Sequence, residues 1–298
     1  MKKVLVIGAS GLVGSRFVEM SSNQFEIVSV DEKTLDITNQ ESVAKYFSEN
    51  KFDAVVNLAA FTDVAGAETQ RDDENGLAWK LNVLSPQYLA QETAKNNIFL
   101  IHFSTDFVFE GDENDKGPFD EDKELPTTKD NLSWYGWTKL LGEKAVRENS
   151  NNSAIVRIAY PFRKEFTGKA DWVRKIIELY DAGTLYPLFT DQTLTPIFID
   201  DLVIALSKLV EMMKPGIYHI VSSDVGTYYD MGNYILEKTR GVKDAPQTAS
   251  LVEFMKTPGR NKRPIFGGLK TEKTQERLGM KFRTWREMID EFATQLTK

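Results

Sequence analysis

Tyr135 and Lys139 stand four residues apart in the string WYGWTKLLGE. On a helix that spacing puts a phenol and an ammonium on one face. A free tyrosine titrates at about 10, high for proton exchange at neutral pH. A neighbouring cation favours the phenolate and lowers that value, so the pair reads as a proton donor with its activating cation. The spacing arises often by chance, and its meaning depends on what the rest of the chain puts around it.

The chain opens with a second motif, Gly8-x-x-Gly11-x-x-Gly14, between the apolar run 3–7 and a helical pattern over 12–21. Glycines here permit a tight turn and a close backbone approach, with a pyrophosphate at the helix N-terminus. Ser10, Leu12 and Val13 lie inside the same turn. Asp31 closes the next apolar run, 26–30, where a carboxylate can accept hydrogen bonds from adenosine ribose hydroxyls. Its charge opposes a 2′-phosphate and leans toward NADH, while Arg16, Lys33 and the helix dipole pull the other way. The expected cofactor is therefore NADPH or NADH. Asp36 and Ile37 lie where adenine would pack, and read equally well as an Asp turn before a helix cap at Thr38 or Asn39. The third run, 53–58, leads into NLAAFTD, whose small residues let a cofactor pass, so Ala59, Ala60, Phe61 and Thr62 are candidates for its wall. The fourth, 98–104, leads into Ser104-Thr105-Asp106. Ser104 is assigned to the cofactor, and a hydroxyl at this sheet edge can hydrogen-bond a substrate carbonyl and its developing alkoxide. His102 reads as a core residue. A dinucleotide turn together with a proton-donor pair points to an oxidoreductase.

The elements that must position these groups alternate as strand and helix. Helical segments are expected at 40–50, 75–96 (with Pro86 bending or breaking it) and 136–149, and a further strand at 153–158. This is the rhythm of an α/β, Rossmann-like doubly wound parallel sheet. Beyond Arg157 it weakens. Helices are expected at 170–182, at 201–213 with Asp200 or Asp201 as cap, and at 284–296, with a strand at 216–221. The organisation expected is a dinucleotide-binding domain over 1–157, completed by about 188–214, and a smaller C-terminal substrate-binding lobe over 158–187 and 215–298.

Composition narrows the classes. The 298 residues are 41% hydrophobic and 27% charged, ordinary for a globular protein, and the net charge of −7 argues against non-specific nucleic-acid binding. Residues 111–133 carry eight acids and three lysines and read as a solvated surface loop. With no cysteine, disulfides, thiolate catalysis and cysteine-bound zinc are excluded, and two histidines argue against a histidine-rich metal site. No metal is expected. The first apolar run is too short for a signal peptide and no stretch reaches the length of a membrane span, so the expected location is cytoplasmic, without membrane or nucleic-acid partners.

The strings GASGLVG, LDIT, VVNLAAFTDVAGAE, STDFVFEG, YGWTKLLGE, IVRIAY, TDQTLTP and GIYHI run along most of the chain. In them the sequence resembles the dTDP-4-dehydrorhamnose reductase family of the extended short-chain dehydrogenase/reductases, with STDFVFEG the most specific. The resemblance implies a Rossmann domain whose smaller lobe holds a nucleotide-sugar substrate. It implies Thr105, Tyr135 and Lys139 as the catalytic set. It implies dinucleotide contacts at Gly11, Leu12, Val13, Asp31, Asp36, Ile37, Ala60, Phe61, Thr62, Tyr135 and Lys139, and substrate contacts at Thr105 and Asp106. The reaction implied is hydride delivery to the C4 ketone of a nucleotide-linked 6-deoxy-hexulose, with Thr105 on the ketone oxygen, Tyr135 donating the proton and Lys139 lowering the tyrosine pKa. An epimerase or dehydratase on this fold, or a dinucleotide-binding regulatory subunit, is the alternative, and the chain is expected to be a monomer or homodimer. Departures fall on the substrate side: Tyr160 replaces the family's usual tryptophan in the sugar pocket, PFRKEFTGKADW follows it, and Gly66 replaces a common lysine. Arg260, Lys262 and Arg263 suit a diphosphate, Arg through its planar fork, or form a solvated basic turn. Trp134 and Trp137 can stack on a sugar or base, and read more readily as core packing or helix anchors.

Overall fold

Apolar, β-branched runs of four to seven residues form the central sheet in the computed structural model, which describes residues 1–297. Its strands are β1 (Lys3–Ile7), β2 (Glu26–Val30), β3 (Ala54–Asn57), β4 (Phe99–Thr105), β5 (Ser153–Ile158) and β6 (Gly216–His219). The order is β6-β5-β4-β3-β1-β2. β1 pairs in parallel with β2 and β3, and β3 with β4, in registers Val4↔Ile27, Val4↔Ala54 and Ala54↔Phe99. β3 and β4 are buried along their whole length, as strands covered on both faces must be, whereas the edge strand β2 is partly exposed. From β1 the chain moves to one side for β2 and to the other for β3. That reversal opens a crevice at the carboxyl ends of β1 and β3, the place where open α/β sheets take ligands.

Two compact units divide the chain. The first comprises Met1–Val108, Leu125–Arg157 and Val203–Tyr218 and contains the body of the sheet. The second comprises Phe109–Glu124, Ile158–Leu202 and the chain from His219 onward. It has short strand pairs, Pro161–Phe162 with Ile197–Phe198, Leu188–Phe189 with Thr248–Ala249, and Thr193–Leu194 with Gly226–Thr227. The acidic segment is not simply a solvated loop. Phe119 and Glu121 are buried, the Phe119 ring stacks on Phe109 at 4.3 Å, and the Phe119 amide and carbonyl bond the backbone of Gly268 and Lys270. Its charges conceal one apolar anchor and one buried carboxyl, which accepts from the Thr274 hydroxyl at 2.6 Å.

Several elements depart from the sequence pattern for local reasons. The stretch expected as one helix over 75–96 is Leu77–Trp79, a π-turn at Lys80–Leu84, and Ser85–Lys95. Pro86 has no N–H for the Asn82 carbonyl four residues earlier, and the chain widens there, with the Ser85 amide and hydroxyl both bonding the Lys80 carbonyl. The Trp134–Asn149 helix begins two residues early because Ser133 caps it, its hydroxyl accepting from the Gly136 amide at 3.1 Å. The Ile199–Met212 helix also begins early, so Asp200 and Asp201 lie in its first turn rather than at its cap. A helix at Tyr228–Arg240, capped by Thr227 and ended by Gly241, escapes the pattern because its face is interrupted by Gly232. Among the described residues no helix is long and apolar enough to cross a membrane.

One ion pair fixes the Trp134–Asn149 helix to β5. Arg157 donates through Nε and a terminal nitrogen to both oxygens of Glu143, at 2.8 and 2.7 Å, and both side chains are 1% exposed. Removing one partner strands a buried charge, which costs about 3–5 kcal/mol. Arg157→Met is therefore expected to lose that much in urea unfolding, and Glu143→Leu/Arg157→Met to recover most of it. A single variant as stable as the parent would contradict the account.

Candidate active site

At the β1 carboxyl end the backbone turns at Gly8 with φ +80°, and a Cβ there would lie 2.8 Å from the Ala59 amide nitrogen. The turn after β1 and the exit of β3 therefore touch backbone to backbone at the switch point, which only glycine allows. Gly14 backs onto the Gly8 carbonyl, and Gly11 donates its amide to that same oxygen at 3.1 Å. Ser10 and Gly11 are exposed, Leu12 and Val13 half-buried, and no side chain caps the helix that starts here, so its positive end faces the crevice. Ala59, Ala60 and Phe61 are half-buried and Thr62 is exposed at the same sheet edge. Asp31, just past β2, is exposed. It accepts from the Thr34 hydroxyl at 2.7 Å and the Thr34 amide at 2.9 Å, which hold its carboxyl below the usual range and keep it ionised. Asp36 makes the Asp turn, accepting from the Thr38 amide and hydroxyl, and Asn39 caps the next helix. The Ile37 side chain belongs to the core, so that residue has only its backbone to offer a ligand.

The proton-donor pair meets β4 at that edge. A Cβ on Gly136 would fall 2.2 Å from the Phe107 carbonyl oxygen, so the first turn of the Trp134–Asn149 helix lies directly against the β4 exit. This brings Tyr135 to Thr105. The phenol lies beside the Thr105 hydroxyl, close enough for it to favour the ionised form, and that hydroxyl donates to Asp106 Oδ1 at 3.0 Å. Phe107 flanks the Tyr135 ring edge-on at 5.5 Å. Lys139, one turn along, is buried and donates from Nζ to the Phe103 carbonyl at 2.6 Å. The Ser104 hydroxyl is buried and unpartnered among the described residues. His102 is a core residue as expected, its Nδ1 3.2 Å from the Asn57 amide nitrogen.

Burial dominates the electrostatics. The Tyr135 phenol is pushed up to about 12, chiefly by desolvation, with the Thr105 hydroxyl opposing and Asp106 adding to the rise. Desolvation lowers Lys139 to about 8, partly offset by Glu143, and raises Asp106 to about 6 against its hydrogen bonds. The expectation that Lys139 draws the tyrosine down is therefore corrected. The ammonium is bonded to a main-chain carbonyl and does not offset the loss of water around the phenol. Near neutral pH Tyr135 is protonated, the state a proton donor needs.

Asn82 was not singled out from the sequence. It is fully buried, its Oδ1 accepts from the Phe61 amide at 2.9 Å, and its Nδ2 donates to the Phe61 carbonyl at 3.1 Å and the Thr138 hydroxyl at 3.0 Å. It ties the segment after β3 to the helix of Tyr135. The signal available was a poor helix former four residues before a proline, inside an otherwise helical stretch.

In the second unit, Tyr160 sits at φ +45°, strained for an aromatic residue. Trp172 Nε1 donates to its carbonyl at 2.8 Å, Gln192 Nε2 to its hydroxyl at 2.7 Å, and the Trp172 and Tyr228 rings flank it. Arg263 is half-buried with Nε unpartnered among the described residues. Arg260 is exposed, its guanidinium 4.1 Å over the Phe254 ring, so the two arginines have different surroundings. Among the described residues no group of three or more metal-ligating side chains is assembled.

Residues 1–298 match the family described as the RmlD substrate binding domain. The chain is 31% identical over 296 residues to the spore coat polysaccharide biosynthesis protein SpsK of Bacillus subtilis, covering 98% of this chain and 97% of that one. A crystal structure of a dTDP-4-dehydrorhamnose reductase from Clostridium acetobutylicum is similar at a TM-score of 0.85 and 29% identity, over 99% of this chain and 100% of that one. A dTDP-4-dehydrorhamnose reductase from Bacillus anthracis, solved in complex with NADP, also has a TM-score of 0.85, at 25% identity over 99% of both chains. The fold and site define a Rossmann-like oxidoreductase. The chain belongs to the dTDP-4-dehydrorhamnose reductase family.

The raised Asp106 makes a stability prediction. Its pKa is 3.8 by reference and about 6 in the fold, so its contribution favours the folded state below pH 3.8 and is lost as pH rises through about 6. The shift corresponds to roughly 3 kcal/mol. Asp106→Asn is expected to gain stability relative to the parent by up to that amount between pH 4 and pH 8, read from urea unfolding across pH. A difference that stays flat with pH would show that Asp106 is not held this way.

Proposed function

We propose that the protein reduces the C4 ketone of a nucleotide-linked 6-deoxy-hexulose with NADPH or NADH, converting dTDP-4-dehydrorhamnose to dTDP-L-rhamnose. The observation that carries this reading is the protonated Tyr135 phenol beside Thr105 at the carboxyl edge of β4, in the same unit as the glycine turn at the β1/β3 switch point. The names of the relatives support the substrate class.

The dinucleotide supplies the hydride when bound. Its pyrophosphate fits the uncapped helix end at Gly11, Leu12 and Val13, beside Gly8, Ser10 and Gly14. Asp31 accepts from the adenosine ribose, with Asp36 and the Ile37 backbone toward the adenine. Ala59, Ala60, Phe61, Thr62 and Ser104 form the wall for the rest. The Thr105 hydroxyl, whose single proton goes to Asp106 in the free protein, turns that proton to the ketone oxygen when substrate binds. Tyr135 gives its proton to that oxygen as negative charge develops there. Lys139, held by the Phe103 carbonyl, keeps a positive charge near the ribose and compensates the phenolate left behind. In the second unit Tyr160 and Arg263 are assigned to the sugar and the diphosphate. Arg260 is the weaker candidate, since its guanidinium already rests on Phe254.

General acid catalysis contributes about 10²–10⁴ in rate. Tyr135→Phe is therefore expected to lose that much in kcat while its dinucleotide dissociation constant stays within about threefold. A fully active Tyr135→Phe overturns the assignment. The parent protein, given dTDP-4-dehydro-6-deoxy-L-mannose, should oxidise NADPH or NADH to a product identified as dTDP-L-rhamnose. No turnover with either cofactor removes the substrate claim, and dinucleotide that stays bound through turnover would mark an epimerase or dehydratase instead. Asp31→Ala should raise the NADPH-to-NADH ratio of kcat/KM by about tenfold, one unfavourable charge contact being worth roughly 1.4 kcal/mol. An unchanged ratio would remove Asp31 from cofactor choice.

A further inference from the structure

The start of a helix is its least secured part, because its first N–H groups have no partner within the helix. Tyr135 is the second residue of its helix. Whatever fixes Leu132–Trp134 therefore fixes the height and direction of the phenol. Ser133 supplies one tie through the Gly136 amide. The other comes from a different segment, the five-residue helix Val64–Glu68 that follows the segment 59–62 after β3.

Glu68 Oε2 accepts from the Trp134 amide at 2.9 Å. Glu68 Oε1 is bonded by Arg71 Nε, and Arg71 donates a terminal N–H to the Leu132 carbonyl at 2.8 Å. The Arg71 guanidinium also lies over the Trp134 ring, its Cζ 6.0 Å from the centroid, and Trp79 stacks on the same indole at 5.9 Å. Leu132 and Trp134 are each 2% exposed, so this bracket closes on a buried turn. The carboxylate sits at the positive end of the helix, where its charge is favourable. Asn82 joins Phe61 to Thr138 one turn further on, so two separate brackets lock the 61–71 segment to the helix of Tyr135.

We propose that Glu68 and Arg71 are positioning residues for proton transfer: together they hold the Leu132–Trp134 turn so that the Tyr135 hydroxyl faces Thr105 in a water-poor setting. The inference rests on the reductase reading for its kinetic consequence and on the phenol's surroundings alone for its spectroscopic one.

Four variants test it: Glu68→Ala, Glu68→Gln, Arg71→Lys and Tyr135→Phe. Turnover, KM, dinucleotide affinity and thermal midpoint are measured on each, with a ¹³Cζ-tyrosine titration in which Tyr135→Phe assigns the resonance. Misplacement of a reacting group by about 1 Å costs about 10²-fold. Glu68→Ala is expected to lose about 10–100-fold in kcat with KM and dinucleotide affinity within about threefold. Glu68→Gln, which keeps an acceptor for the Trp134 amide, should recover most of the loss. Arg71→Lys, which cannot span Glu68, Leu132 and the indole together, should lose less than Glu68→Ala, and more than Glu68→Gln. The Tyr135 phenol should titrate at lower pH in Glu68→Ala, as water enters. Should Glu68→Ala fail to fold, Arg71→Lys carries the decision, and parental kcat with parental phenol titration in it overturns the proposal. A lower thermal midpoint with unchanged kcat and titration overturns it too, leaving the bracket a stabilising contact. If the parent shows no ketone reduction the reductase reading fails, while the phenol titration still decides the bracket.

Discussion

The close contact between the first turn of the Trp134–Asn149 helix and the exit of β4 is the constraint on which the rest of the site depends. With no side chain at Gly136, the helix reaches the Phe107 carbonyl, and that close seating sets the Tyr135 phenol beside Thr105 at the β4 exit. The parallel sheet sets where β4 ends, the Glu143–Arg157 pair anchors the far half of the helix to β5, and Asn82 joins its near half to Phe61. A methyl group at position 136 would meet the Phe107 carbonyl and push the Tyr135 helix off the β4 exit without touching either functional group.

Close seating has an electrostatic consequence. A phenol brought out of water resists ionisation, and an ammionium brought out of water gives up its proton more readily. Burial thus moves Tyr135 and Lys139 in opposite directions, to about 12 and about 8. A tyrosine held this way is a reservoir for one proton rather than a ready phenolate. Such a site suits chemistry in which an oxygen acquires negative charge and takes the proton in the same event. The Thr105 hydroxyl, already donating to Asp106, links that oxygen site to a second titratable group.

Much of this was legible in the sequence, and the limits have physical causes. Four central strands showed as short apolar runs because strands covered on both faces need no polar alternation, and the glycine turn showed because a backbone-to-backbone contact admits no other residue. The four-residue spacing of Tyr135 and Lys139 put them on one face, yet could not reveal that Lys139 bonds the Phe103 carbonyl, a matter of tertiary contact. Asn82 was hidden because its partners, Phe61 and Thr138, lie 21 and 56 residues away. Phe119 and Glu121 were masked by the acids around them, and the Tyr228–Arg240 helix by Gly232. Tyr160 was noted as a departure from the family, but its left-handed backbone and its bond to Gln192 are set by packing in the second unit.

The central claim is that the Tyr135–Thr105 site presents a ketone carbon to a nicotinamide and its oxygen to a phenol. Turnover of dTDP-4-dehydro-6-deoxy-L-mannose with a reduced nicotinamide deuterated at its transferable position tests this most directly, with the product read by NMR and mass spectrometry. The account predicts one deuterium, bound to C4 of the sugar, in protein with intact Tyr135, and its near-absence with Tyr135→Phe over the same interval. Deuterium at another carbon, or product formed with none, would contradict it.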